Sequence, residues 1–172
     1  EEACNKVNLG FVRAVNYNCP GQVVVSGEKE AVLMAMDIAK DMGARKVVEL
    51  KTAGPFHTEK LQLASEELKK EITKISFMPS NISVIKNING EAYSKNDNMV
   101  EILSKHVISP VKFRKSIETM LEMGVDTFVE IGPGKTLSGF VKKVCKEKEM
   151  EAMILNIDDL KTLEEAIEKL KM

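Results

Sequence analysis

The chain has 172 residues, 44% hydrophobic and 30% charged, with a formal net charge of -1. That is the make-up of a soluble globular protein long enough to bury a sizeable core. The near-neutral charge, with lysines spread over helix faces, excludes a basic nucleic-acid surface, and no apolar run reaches the ~20 residues of a membrane span. Three separated cysteines, Cys4, Cys19 and Cys145, lack metal-ligand spacing. They fit a reducing compartment, and so a cytoplasmic setting, better than a disulfide framework. The opening Glu1-Glu-Ala-Cys-Asn-Lys-Val7 carries neither an initiator methionine nor a cationic leader, and reads as the last turns of a helix. It predicts either a fragment whose beginning lies upstream or a whole protein trimmed at its start.

Gly10 stops that helix, and residues 11–18 read as a strand of uneven alternation. Cys19-Pro-Gly21 turns the chain into a second strand, 22–26, so the pair predicts a hairpin. From 28 to 42 the apolar period changes from two to 3.6, with Val32, Ala35, Met36 and Ala39 as a stripe and Gly43 as the stop. Residues 46–50 read as another strand. The order matches part of a ferredoxin-like unit with its first strand and most of a helix missing. Leu61, Ala64, Leu68, Ile72 and Ile75 predict a helix over 59–74, followed by a strand at 82–86, an Asn87–Gly90 turn and a short return at 91–93. A short helix covers 99–105. Ser109-Pro110 is a helix start, with Phe113, Ile117, Met120 and Leu121 on one face. A buried strand at 126–130, a helix bearing Leu137, Phe140, Val141 and Val144, a strand at 152–156 and a closing helix with a Thr162/Glu165 capping box complete the chain. Helices alternating with short apolar strands from residue 57 onward predict a layered α/β unit with a mostly parallel sheet. The fold class is therefore α/β: an incomplete ferredoxin-like unit over 1–53, then 54–172 as a parallel-sheet unit.

Chemistry is sparse. His57, one of two histidines, sits on the connector Gly54-Pro-Phe-His-Thr58, where it is either a surface residue or one facing a cleft. Gly132-Pro-Gly134-Lys135 lacks the glycines and the Ser/Thr of a phosphate-binding loop; it offers helix-start amides for an anion or oxyanion, or a plain turn. Asn16 and Asn18 share a strand face at period two and, with Gln22, are able to bind a polar substrate or simply build the turn. The histidines have no carboxylate or cysteine at coordinating spacing, so no metal is expected. No Gly-x-Ser-x-Gly elbow exists, so a histidine base has no nucleophile to activate.

Asn18-Cys-Pro-Gly-Gln22-Val-Val-Val-Ser-Gly27, Gly54-Pro-Phe-His57-Thr, Ser109-Pro-Val and Glu130-Ile-Gly-Pro-Gly-Lys135 follow one another as in malonyl-CoA:acyl-carrier-protein transacylases. The chain resembles the second part of that family's enzyme over essentially its whole length. The resemblance implies an α/β-hydrolase-like subdomain carrying a ferredoxin-like one, with 54–172 as the C-terminal part of the former. It implies that His57 is the catalytic histidine and that the backbone carbonyl of His106, where the family commonly has glutamine, orients it. Asn18 matches an active-site asparagine, with Gln22 and Asn16 as its neighbours. Asn87 matches a loop-ordering asparagine near the cleft, and Phe56 the form of its position that selects malonyl groups. The implied reaction moves a malonyl group from coenzyme A to the phosphopantetheine thiol of acyl carrier protein, for fatty-acid synthesis, through a serine ester. No bound cofactor is implied. The family's serine, arginine and early glutamine have no counterpart in these residues, so this chain alone is expected to be inactive, with the missing portion as a possible separate partner chain. Two alternatives stand beside it: a non-catalytic fragment that binds acyl carrier protein or a partner polypeptide, and a related serine hydrolase.

Overall fold

The computed structural model describes residues 1–52 and 54–171. The expected boundary between 53 and 54 rests on Ala53, and the expected end of the second unit on Met172; both lie outside the described residues. The architecture is mixed α/β, with one antiparallel and one parallel two-stranded sheet. Among the described residues no helix is long and apolar enough to cross a membrane.

Helix α1 (Glu2–Asn5) leads to strand β1 (Val12–Cys19), which pairs antiparallel with β2 (Gln22–Gly27). The Pro20-Gly21 turn works because Gly21 takes φ 72, where a Cβ would be strained. The uneven alternation in the sequence has a structural cause. Register shifts between Ala14 and Asn16 and between Tyr17 and Cys19 put bulges in β1, so Ala14 and Val15 are both buried. The second shift takes Asn18 out of the ladder, and the period that would set Asn16 and Asn18 on one face does not carry between them. Helix α2 (Lys29–Asp41) buries Ala31 and Ala35 against Cys4 and Val12. Ala35 of the expected stripe is buried, but Ala31 rather than Val32 joins it: small residues let α2 approach α1 and β1 closely, and Val32 packs at the margin.

Residues 46–50 are not a strand. A strand is held by its ladder, and among the described residues no neighbouring strand supplies one; Val48 and Leu50 remain 57% and 56% exposed. The hairpin expected over 82–93 shrinks to a single Ile85–Ala92 bridge, flanked by bonds from Lys86 N to Glu91 O and from Tyr93 N to Val84 O, both 2.8 Å. A 3₁₀ turn at Glu59–Leu61 precedes α3 (Gln62–Ile72). Of its expected apolar stripe only Ile72 is buried, because α3 meets α4 (Met99–His106) through Ser65 and its other sides are uncovered.

Ser109-Pro110 does not start a helix. Val111 is bonded to β1 instead, its N–H donating to Val15 O at 2.8 Å and its carbonyl accepting from Tyr17 N at 2.9 Å. Backbone groups committed to a ladder cannot enter a helical turn, so α5 begins at Phe113 and runs to Glu122. Ile117 and Leu121 on α5 meet Val141, Val144 and Cys145 on α6 (Thr136–Lys148), with Cys19 closing the cluster from β1. Burying Ile117 and Val144 completely is worth about 1.5–3 kcal/mol each.

Strands β3 (Thr127–Ile131) and β4 (Met153–Ile157) pair in parallel from Thr127↔Met153 to Ile131↔Ile157, with α6 as the crossover. Phe128 and Ile154 pack toward the α5–α6 core. Strand β3 is not buried as expected, since Val129 and Ile131, on its other face, are 39% and 80% exposed. Helix α7 (Leu160–Leu170) packs on β4. The capping box is real but placed differently: Asp159 is the cap and Thr162 the third helical residue, each side chain bonding the other's backbone. Asp159 rather than Thr162 has the extended backbone a cap needs.

Candidate functional site

The loop before α3 is folded by its own sequence. Gly54-Pro55 breaks the chain direction, and Thr58, 1% exposed, ties the loop shut. Its hydroxyl donates to Pro55 O at 2.6 Å and accepts from Lys60 N at 3.3 Å, capping the 3₁₀ turn. Between them His57 is held at φ 62, a left-handed backbone that costs a non-glycine residue on the order of 1–2 kcal/mol.

What holds it there is the end of α4. Asn98 caps the start of that helix, its side-chain oxygen accepting from Glu101 N at 3.1 Å. At the other end, two carbonyls find partners from across the loop. Ser65 Oγ donates to Ser104 O at 2.7 Å, and His57 Nδ1 lies 3.0 Å from His106 O. A carbonyl only accepts, so Nδ1 carries the proton and the neutral ring keeps the Nε2 lone pair for other chemistry.

The His106 ring points elsewhere, with Nε2 3.5 Å from the Tyr93 hydroxyl. Burial lowers the His106 pKa, and the His57 charge adds to the effect. Burial and then Asp97 raise the Tyr93 phenol. Lys86 is only 7% exposed; its Nζ bonds Asp97 Oδ2 at 2.8 Å and stands 5.6 Å from the Tyr93 ring centroid. The Lys86 hydrogen bond holds the Asp97 carboxyl below its usual range. Lys86, Tyr93 and Asp97 were not candidates from sequence. The usable signal was a lysine closing an apolar β-branched run, which needs a buried anion if that run packs.

The remaining candidates are scattered in their roles. Asn16 and Asn18 are half-buried in β1, and among the described residues neither side chain makes a hydrogen bond. Gln22 Oε1 accepts from the buried Cys19 thiol at 3.5 Å. Asn87 is exposed, and its carbonyl accepts from Lys112 N at 2.7 Å, which joins this loop to the segment pairing with β1. Phe56 is 53% exposed beside His57. Gly132 and Gly134 form the turn at φ 138 and 87, but the turn offers no free helix-start amides from Leu137 and Ser138. The Glu130 carboxylate accepts from Leu137 N at 3.0 Å and Ser138 N at 2.7 Å, filling the place an anion would take. Among the described residues no hydrogen bond joins His57 to any of these groups, and no cluster of three His, Cys, Asp or Glu is placed to hold a metal.

An imidazole with one nitrogen fixed by a carbonyl and the other open, on an α/β scaffold, has the geometry to take up or give a proton at Nε2. The pattern of the acyl transferase domain family matches residues 3–167, and the chain belongs to that family. Its relatives are specific. It is 39% identical over 161 residues to the malonyl CoA-acyl carrier protein transacylase of Bacillus subtilis, a match covering 94% of this chain and 50% of the relative. The crystal structure of the malonyl CoA-acyl carrier protein transacylase from Clostridium perfringens superposes with a TM-score of 0.92 at 47% identity, covering 99% of this chain and 52% of that one. A malonyl-transacylase solved in complex with a type II PKS acyl-carrier protein gives 0.90 at 30% identity, covering 98% and 53%. The chain thus spans about half the length of the proteins it matches.

Proposed function

We propose that His57 is the general base and acid of a malonyl-CoA:acyl-carrier-protein transacylase whose serine nucleophile lies outside these 172 residues. The observation that carries the reading is the bond between His57 Nδ1 and His106 O, which leaves Nε2 as the proton acceptor. Nε2 takes the serine proton as the serine oxygen attacks the malonyl thioester carbonyl, and the resulting imidazolium returns that proton to the departing coenzyme A sulfur. The phosphopantetheine thiol of acyl carrier protein then gives its proton to Nε2 and attacks the serine ester, and the imidazolium returns that proton to the departing serine oxygen. The end of α4 stabilises the imidazolium in both halves, the place a carboxylate holds in a Ser-His-Asp triad. The serines of α3 and α4 do not serve as nucleophile: Ser65 and Ser104 are buried and bonded to the carbonyls of Ser104 and Glu101.

On this reading residues 1–53 belong to the smaller, ferredoxin-like subdomain and 54–172 to the larger one. Asn18 is the active-site asparagine of the smaller subdomain, Gln22 and Asn16 support it or build its turn, and Phe56 favours a malonyl group. The partners are malonyl-CoA, acyl carrier protein and the polypeptide that supplies the serine; the setting is cytoplasmic fatty-acid synthesis. The test is intact-mass analysis after mixing the chain with malonyl-CoA. No covalent adduct forms on this chain alone, whereas the longer protein is acylated; a stoichiometric adduct on the 172 residues overturns the division of the site. In the longer protein, His57→Ala lowers the transfer rate by about 10²–10⁴.

A further inference from the structure

We propose that Tyr93 is a positioning residue for His57, acting through His106: its hydroxyl donates to His106 Nε2 and steadies the turn whose carbonyl holds His57 Nδ1. The inference rests on the reading of His57 as the general base. His106 is the last residue of α4, and helix ends fray unless something ties them. Here one residue carries two tethers, the carbonyl to His57 at 3.0 Å and the ring to Tyr93 at 3.5 Å. The second contact is long, so its effect depends on how firmly Tyr93 is placed.

Tyr93 is placed firmly. Its amide donates to Val84 O at 2.8 Å. The next residue is pinned on the other side, with Ser94 N and Ser94 Oγ each 3.1 Å from the Asp97 carboxylate. Lys86 completes the bracket, bonding Asp97 and facing the Tyr93 ring. Removing a charge from water is costly unless it is paired, and pairing Lys86 with Asp97 ties the bridge strand at 84–86 to the 94–97 loop. The direction of the tyrosine–histidine bond follows from both partners. Burial keeps His106 neutral and therefore able to accept, and burial with the nearby Asp97 keeps the phenol protonated and therefore able to donate. His106 then carries its proton on Nδ1.

The chain has two histidines, so each imidazole is observed separately by ¹⁵N NMR on the 172-residue chain, without need of activity. In the unaltered chain both rings show the Nδ1–H tautomer. In Tyr93→Phe, His106 becomes a mixture of tautomers and titrates at higher pH, because the bond that favoured its neutral form is gone, and the Nδ1–H fraction of His57 falls. Asp97→Asn, which touches neither ring, loosens the bracket and shifts His57 in the same direction to a smaller extent. In the longer protein, Tyr93→Phe lowers kcat by about 3- to 10-fold, the loss of one modest hydrogen bond, with KM for malonyl-CoA unchanged. A His57 ring whose tautomer is unaltered in both variants overturns the proposal. A longer protein that makes no malonyl-acyl carrier protein overturns the transacylase reading instead, and the imidazole measurements then decide the role of Tyr93 by themselves.

Discussion

Glu130 does for α6 what Asn98 does for α4, but from a strand and with a charge. Burial works against its ionised form, yet hydrogen bonds from Ser138 and from the Leu137 amide hold the carboxyl below its usual range. A carboxyl lowered in the folded state stabilises fully above its unfolded value, ~4.3, and loses that contribution as pH falls through the folded value. Glu130→Ala should therefore cost about 1 kcal/mol at pH 7, the worth of a helix cap, and the gap from the parent chain should close in acid; urea denaturation at a series of pH values reads both. Gly90 presents a steric case. At φ 74, an added Cβ would lie 2.6 Å from Lys115 Cγ and 2.9 Å from its backbone carbon. Gly90→Ala should destabilise by about 1–3 kcal/mol, and an unchanged denaturation midpoint would show that the 86–90 turn relaxes freely. Residue identity told different amounts at these places. The loop that carries His57 was legible because the Gly-Pro break announces it. The roles of Glu130 and Tyr93 were not, since both act on residues made neighbours only by the fold.

At the scale of elements, α4 concentrates the site's energetics. Its entry is fixed by the exposed cap Asn98, and its exit by the buried donor Ser65 and by His57. Loss of an exposed cap costs about 1 kcal/mol, whereas stranding a buried carbonyl costs about 1–3 kcal/mol. Ser65→Ala should accordingly destabilise the chain more than Asn98→Ala in equilibrium unfolding; the reverse order would mean that another donor reaches Ser104 O. The elements that could be read from sequence were those whose signals are local. Cys19-Pro-Gly21 closes a hairpin by its own backbone preferences, and the period over 28–42 specifies a helix on its own. Residues 46–50 have the composition of a strand but, among the described residues, no partner for its ladder. Ser109-Pro110 has the signature of a helix start, but Val111 belongs to β1. Both failures arise from long-range pairing, which composition does not encode.

The molecule as a whole is half-clad. A two-stranded parallel sheet is ordinarily buried on both faces, because its strands are apolar on both. Here α6 packs on the sheet and α7 packs on β4, yet Val129 and Ile131 stay open along β3, whose outer edge pairs with no strand among the described residues. Among the described residues nothing covers this apolar face of β3. Large exposed apolar patches and free parallel edges promote association in water. The 172-residue chain in isolation should therefore self-associate as its concentration rises and bind an apolar dye. A charge at the centre of the patch should reverse both effects without touching the α5–α6 core, where Ile117 and Val144 anchor the fold. Sedimentation velocity of the chain and of its Ile131→Lys variant reads the outcome, with far-UV circular dichroism as the check that helicity is kept. A parent chain that stays monomeric and dye-free at high concentration would mean that the β3 face is tolerated in water, and that the cover it lacks is not needed for solubility.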